Sequence, residues 1–320
     1  MATLKARVPN PDWSKKPEHA HADRASVTHI TPRAAAPATL QARIPDIDWS
    51  KGFERYWCGG SVSLTHTYNA FSLLLPVGEQ FFRDTARDLA KSLDLSNNPA
   101  LEKEVREFVV QESLHSAQHR RFNEVLEQQG FKNVVEPNLL WWKRFGYRYL
   151  SPLTNMAAVC AYEHLTSIMS EEFLRAPGKW TKNSPDMALF WGWHAAEETE
   201  HKAVCFDLYK AAGGGYLRRA ISYLIVLLGF NFLFFMRSYL YLRRTDKHLE
   251  AKAAVNKEPT KFALTMLLGP ARYTLGAVLH YLSPSFHPWQ RDNRARMEEW
   301  LRDNQSRLKL VGRAAAVDTH

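Results

Sequence analysis

The sequence predicts an all-α fold: a bundle of four long helices with additional C-terminal helices, one of them strongly apolar. Three observations carry this expectation. Apolar residues recur at three- and four-residue spacing through 65–93, 99–129, 152–174 and 184–212, as in helices with one buried face. Turn formers punctuate these stretches at Asn97-Asn98-Pro99, Gln129-Gly130, Ala176-Pro177-Gly178 and Gly213-Gly214-Gly215. Finally, glutamates and histidines that an apolar helix face would not ordinarily carry fall one set to each of the four stretches.

Taken in order, residues 1–44 are rich in Pro, Ala, Lys and Arg without a sustained period and read as a disordered arm. Within them the string from Leu4 to Lys15 returns as Leu40 to Lys51, each copy holding Ala-Arg and Asp-Trp-Ser-Lys. Two copies are too few for a solenoid. The second therefore reads as a strap leading into the domain, and the first as its duplicate. Residues 45–215 form the metal-binding bundle, with 141–149 long enough to cross it between the second and third helices. Residues 216–300 supply apolar and amphipathic helices that complete the domain, and 301–320 a polar tail.

Within that third block, residues 220–236 are uncharged and bounded by Arg219 and Arg237, and apolar residues continue to Leu242. A bilayer crossing needs about 20 residues. This run is at the lower limit, so insertion into or embedding in a membrane is expected, with a buried covering helix as the alternative. The weaker stretch 262–282 could return as a partner. Arginines lie on both sides of 220–242, so charge gives no orientation but suits anionic headgroups.

Composition narrows the function classes. Of 320 residues, 45% are hydrophobic, enough for a substantial core. The 42 Lys and Arg against 33 Asp and Glu give +9. No zinc finger, RNP motif or basic aromatic helix accompanies that charge, so nucleic acid is not the expected partner. Cys58, Cys160 and Cys205 show no paired spacing, which argues against a disulfide framework, a zinc ribbon or an iron–sulfur site. The start of the chain lacks the apolar core of a secretory signal. A cytoplasmic protein on the inner face of the membrane is the resulting expectation.

The chemistry lies in two similar halves. Glu79 is followed by Glu112 and His115, and Glu163, at a nearly equal distance, by Glu198 and His201. Residues three apart share a helix face, so each Glu-x-x-His aims one carboxylate and one imidazole at a common point. Four carboxylates and two histidines from four helices are the ligand set with which ferritin-like bundles hold two iron or manganese ions. The expected metal ligands are Glu79, Glu112, His115, Glu163, Glu198 and His201, with Glu112 and Glu198 bridging. His119 and His194 share those faces and are either further ligands or hydrogen-bonding neighbours. Glu197 also reaches the face of His201, so it competes with Glu198. His164, about 100° round the helix from Glu163, reads as an outer partner, and Glu171 as a residue that could orient a ligand.

Around these residues the chain resembles a bacterial family of predicted metal-dependent hydrolases over roughly residues 45–300. The resemblance is carried by the string from Asn69 to Phe82 that includes Glu79, by Gln-Glu-x-x-His at 111–115, and by Tyr162-Glu163-His164-Leu165-Thr166. The string from Trp193 to Lys202 and the late Phe286-His287-Pro288-Trp289 complete it. It implies a metal enzyme.

From the ligands alone, the leading expectation is a di-iron oxidase or oxygenase acting on a lipid-like or apolar small molecule. Such an enzyme is compatible with an electron donor as partner and with a homo-oligomer. A carboxylate-rich pair favours redox chemistry, since hydrolytic pairs often take more His and Asp. The alternative is a metal-dependent hydrolase in which two metal ions, zinc or manganese in place of iron, activate water. In that case His194 or His119 is the candidate acid or base, alongside Glu112 and Glu198 at the catalytic centre. Iron storage is a third reading, weakened by the exposed apolar run.

Overall fold

Ser61 and Pro76 shape the first helix. In this computed structural model, which describes residues 40–176, 184–246 and 271–311, the Ser61 side chain accepts from the backbone N–H of Leu64 and starts α1 (Val62–Lys91). Pro76 sits inside α1 and has no N–H for the carbonyl of Ser72 one turn earlier. Asn123 of the next helix supplies that donor from Nδ2 at 2.8 Å. The helix continues past the proline, and Glu79 is carried into the core.

Asn98 caps α2 (Pro99–Gln128), with Pro99 in the first turn where its missing N–H costs nothing. Helix α3 (Glu136–Tyr149) crosses to α4 (Pro152–Arg175), which Ser151 caps and Pro152 opens. Helix α5 (Pro185–His201) also opens on proline. Helices α1, α2, α4 and α5 pack in a ring, α1 on α2 and α4, α5 on α4 and α2. This is the expected four-helix arrangement.

The fourth predicted helix is interrupted. After His201 the chain turns through Lys202 and Ala203 before α6 (Val204–Ala211). No glycine or proline marks the break. The turn lets the buried Lys202 ammonium donate to the carbonyl of Arg291 and to Asn293 Oδ1, at 2.6 and 2.7 Å, and lie over the Trp289 ring.

The apolar run becomes α7 (Tyr216–Ile225), a π-helical segment Val226–Phe235, and α8 (Met236–Thr245). Among the described residues no helix is long and apolar enough to cross a membrane, so the insertion or embedding expected at 220–242 does not take the form of a spanning helix. One side of this segment instead covers the bundle. Tyr223, Phe234 and Leu242 are buried, and Phe235 stacks on Phe71 of α1. Of the stretch 262–282, residues 262–270 lie outside the described residues; α9 (Ala271–His280) packs on α4.

Residues 1–39, with the first strap copy, and 312–320 also lie outside the described residues. Leu40 and Ala42 to Arg43, assigned above to the arm, are buried in the folded body. Strand β1 (Arg43–Pro45) pairs antiparallel with β2 (Leu308–Leu310), Arg43 opposite Leu310, so the expected polar tail begins as structure. Before it, α10 (Arg294–Asn304) lays Trp300 directly on Gly192 of α5. A Cβ at 192 would overlap the indole ring. Gly192→Ala is therefore expected to cost about 1–3 kcal/mol by overpacking, read as a lower denaturation midpoint with an unchanged m-value. An unaltered midpoint would mean that Trp300 moves aside freely.

Candidate metal centre

Trp193 and Phe108, from the two apolar clusters of the core, meet His115 and His201 edge-on at 4.8 and 4.9 Å, so a polar layer lies between the clusters. That layer contains Glu79 from α1, Glu112 and His115 from α2, Glu163 from α4, and His194, Glu198 and His201 from α5, all buried.

Glu198 is its centre. Oε1 lies 3.6 Å from His115 Nδ1 and 3.5 Å from His194 Nε2, and Oε2 lies 3.6 Å from His201 Nε2. Glu112 Oε1 approaches both His115 Nδ1 and His201 Nε2, at 3.6 and 3.3 Å. Glu163 Oε2 is 3.4 Å from His201 Nε2, and Glu79 Oε1 is 3.9 Å from His194 Nδ1. Three sets have donor atoms that all lie within 4.8 Å of one another: Glu112, Glu198 and His201; His115, His194 and Glu198; Glu79, His119 and His194.

The atoms facing inward lack protein partners. Both oxygens of Glu79, Glu112 and Glu163, with His115 Nδ1 and His201 Nε2, are buried without a hydrogen bond. Leaving so many polar atoms unpaired in a protein core is costly. Divalent cations satisfy lone pairs of this kind and balance the carboxylates, so the residues fit metal ions.

Outer partners set which ring nitrogen faces inward. His115 Nε2 is 3.0 Å from Glu197 Oε2, and His201 Nδ1 is 3.0 Å from Gln111 Oε1. Each imidazole donates its N–H outward and keeps a lone pair for the centre. Ser72 gives its hydroxyl hydrogen to Asn123 Oδ1 at 2.8 Å, so it accepts from His119 Nδ1 at 2.9 Å. His119 Nε2 then accepts from His194 Nδ1 at 3.2 Å, which leaves His194 Nε2 toward Glu198. Thr166 donates to Glu198 Oε2 at 2.5 Å.

Electrostatics follow from burial. Desolvation first, then neighbouring carboxylates, push Glu79 and Glu163 well above the usual range, and desolvation raises Glu112 against the opposing hydrogen bond from His115. Glu198 is also desolvated, but His201 and His115 outweigh that and hold it well below. Burial takes His194 down to about 3 and His119 well below its usual value, so both are neutral. His115 is raised: burial opposes its charge, but Glu112, Glu197 and Glu198 overcome it.

The competition between Glu197 and Glu198 is resolved by the geometry, with Glu198 inside and Glu197 outside. Both histidines left open reach the layer, His194 at its centre and His119 behind it. His164 does not, since its Nε2 meets the Ala277 carbonyl at 3.0 Å. Glu171 is engaged elsewhere, paired with Arg291 at 2.9 Å.

Sequence reasoning missed Arg43. Its backbone N–H donates to Glu197 Oε1 at 2.8 Å, and its guanidinium reaches both oxygens of Glu200 at 3.1 and 3.2 Å. Gln111 Nε2 also reaches Glu200, at 2.7 Å. The one signal for Arg43 is its place in the duplicated strap, where Arg7 repeats it.

Fold and centre together define a helical-bundle protein built to bind metal through glutamate and histidine. The chain belongs to the family of predicted metal-dependent hydrolases, whose sequence model matches residues 41–292. No curated protein and no solved structure matches it. The family overturns the preference for a di-iron oxidase or oxygenase and supports the hydrolytic alternative. That preference rested on an excess of carboxylates, and His194 brings a third imidazole to within 3.5 Å of Glu198.

Proposed function

We propose that the protein is a hydrolase that uses two divalent cations held between its four long helices. The convergence of unpartnered, buried carboxylate and imidazole atoms on Glu198 carries this reading. Glu112, Glu163 and His201 would hold one ion, His115 and His194 the other, with Glu198 shared. Zinc or manganese suits chemistry without a redox step. The ions supply a water acidic enough to attack at neutral pH and polarise the bond to be cleaved.

The side chains do the remainder. Glu197 and Gln111 fix the tautomers of His115 and His201. His119 orients His194, and Thr166 orients Glu198. Glu79, with Oε1 3.9 Å from His194 Nδ1, would add a further carboxylate on the His194 side of the centre. Elemental analysis of the natively purified protein, with an ester, amide and phosphate screen under an oxygen electrode, tests the proposal. About two ions per chain and turnover without oxygen uptake are expected; no bound metal, or oxygen-dependent turnover, would defeat it.

Proton linkage gives a second test. In the metal-free chain Glu79, Glu112, Glu163 and His115 bind protons more tightly folded than unfolded. Each contributes stability that is present below its unfolded pKa and is lost as pH rises through the folded one. The depressed His119 and His194 act oppositely, but their effect is complete above about pH 6.5. Lys202, lowered to about 7 chiefly by burial, donates to Arg291 and Asn293 and is not among the ligands. Cations replace the protons, so the Tm gap between metal-loaded and chelator-stripped protein should widen between about pH 6.5 and 8. A gap that narrows over that range would contradict the ligand assignment.

A further inference from the structure

Two apolar cavities adjoin each other beside the metal centre. An inner cavity of about 70 Å³ is lined by His194 and Thr166 and otherwise mainly by aromatic and aliphatic side chains such as Tyr68, Leu165 and Phe173. An outer cavity of about 270 Å³ lies between α1, α3, α4 and the α7–π segment. The two share Gly78, Phe82 and Tyr162 as walls. Gly78 presents no side chain in this shared wall, and the Phe82 and Tyr162 rings stack at 5.3 Å.

The outer cavity opens among exposed apolar groups. Trp142 and Leu150 of the α3 end and Ile225 of α7 both line it and reach solvent. From Ile225, 66% exposed, the apolar surface continues along one stripe of the helix through Leu217 at 71%, Ile221, Leu224 and Leu228 at 69%. Leu275 and Leu279 of α9 are exposed as well. Residues 216–245 contain no Asp or Glu, and Arg218 of α7 and Arg237 and Arg244 of α8 are exposed. An apolar helix face flanked only by cations is complementary to an anionic lipid surface.

We propose that the outer cavity binds the hydrocarbon chain of a long-chain acyl ester, placing the ester carbonyl in the inner cavity beside His194 and Thr166, and that the α7 stripe takes this substrate from an anionic bilayer. The chemical step rests on the hydrolytic reading above; the chain site rests on the cavity. Water oxygen bonds to the acyl carbon, the ester C–O bond breaks, the alkoxy oxygen takes a proton, and a fatty acid and an alcohol leave.

Binding separates this proposal from the reaction. Isothermal titration of metal-loaded protein with butanoate and dodecanoate should show the longer chain bound at least about tenfold more tightly, because the added methylenes are buried. Ala158→Trp, which fills the outer cavity, should abolish that preference with metal content unchanged; Ile225→Trp, at the exposed mouth, should reduce it and serves if Ala158→Trp does not fold. Equal affinity for both chains, or a preference untouched by both variants, overturns the chain site. Chain-length preference in a protein that hydrolyses no ester supports the chain site and removes the hydrolytic reading alone. Co-sedimentation with phosphatidylglycerol vesicles, lost in Arg218→Glu/Arg237→Glu, supports the bilayer as source; dodecanoate binding without vesicle binding overturns that source in favour of monomeric lipid.

Discussion

Replacing Glu198 with alanine is expected to remove metal and activity together. Its two oxygens stand within 3.6 Å of three imidazole nitrogens, so it lies between both halves of the centre. The loss in kcat/KM should exceed about a thousandfold, or ~4 kcal/mol of transition-state stabilisation. Elemental analysis of the variant should show less metal per chain at both positions. Glu197→Ala is the control one residue away. It removes the carboxylate behind His115 and should weaken metal binding by about 10–100-fold, the usual range for such outer partners. Full metal content in Glu198→Ala with loss in Glu197→Ala would exchange the two roles.

Arg43→Ala should have the largest effect on stability. Arg43 is about nine-tenths buried, and its fork meets Glu200 while its backbone N–H meets Glu197. Truncation leaves a buried carboxylate without its cation, at a cost of about 3–5 kcal/mol. In a body of this size that lowers Tm by on the order of 10 °C. Adding Glu200→Gln should restore part of the loss, since it removes the stranded charge. A thermal scan of the single and double variants decides this, and a single variant as stable as the parent would show that water reaches Glu200 freely.

What could be read from the sequence was whatever repeats locally. The helical period placed α1, α2, α4 and the ligand part of α5, and Glu-x-x-His spacing put Glu112 with His115 and Glu198 with His201 on shared faces. Choices between neighbours at similar angles were not legible. Glu197 and Glu198 precede His201 by four and three residues, at similar helical angles, and only the position of His115 on another helix separates them. His194 was undecided for the same reason, because its place depends on His119 and Ser72. Arg43 gave no local sign, since its partners lie more than 150 residues away. The break after His201 contains neither glycine nor proline and serves a lysine whose acceptors are in a distant loop. In 220–242 the composition was read correctly as apolar, but its winding and covered side are set by the α1 and α4 surfaces beneath it.

The pairing of β1 with β2 has a kinetic consequence. Arg43 is held opposite Leu310 by a contact between segments near opposite ends of the folded body, and loops that long close slowly. The four ligand helices are joined by much shorter connections and can gather first. Once the two end segments pair, the backbone N–H of Arg43 meets Glu197 and its guanidinium meets Glu200, so the outer partners of the centre are completed by the longest loop closure in the body.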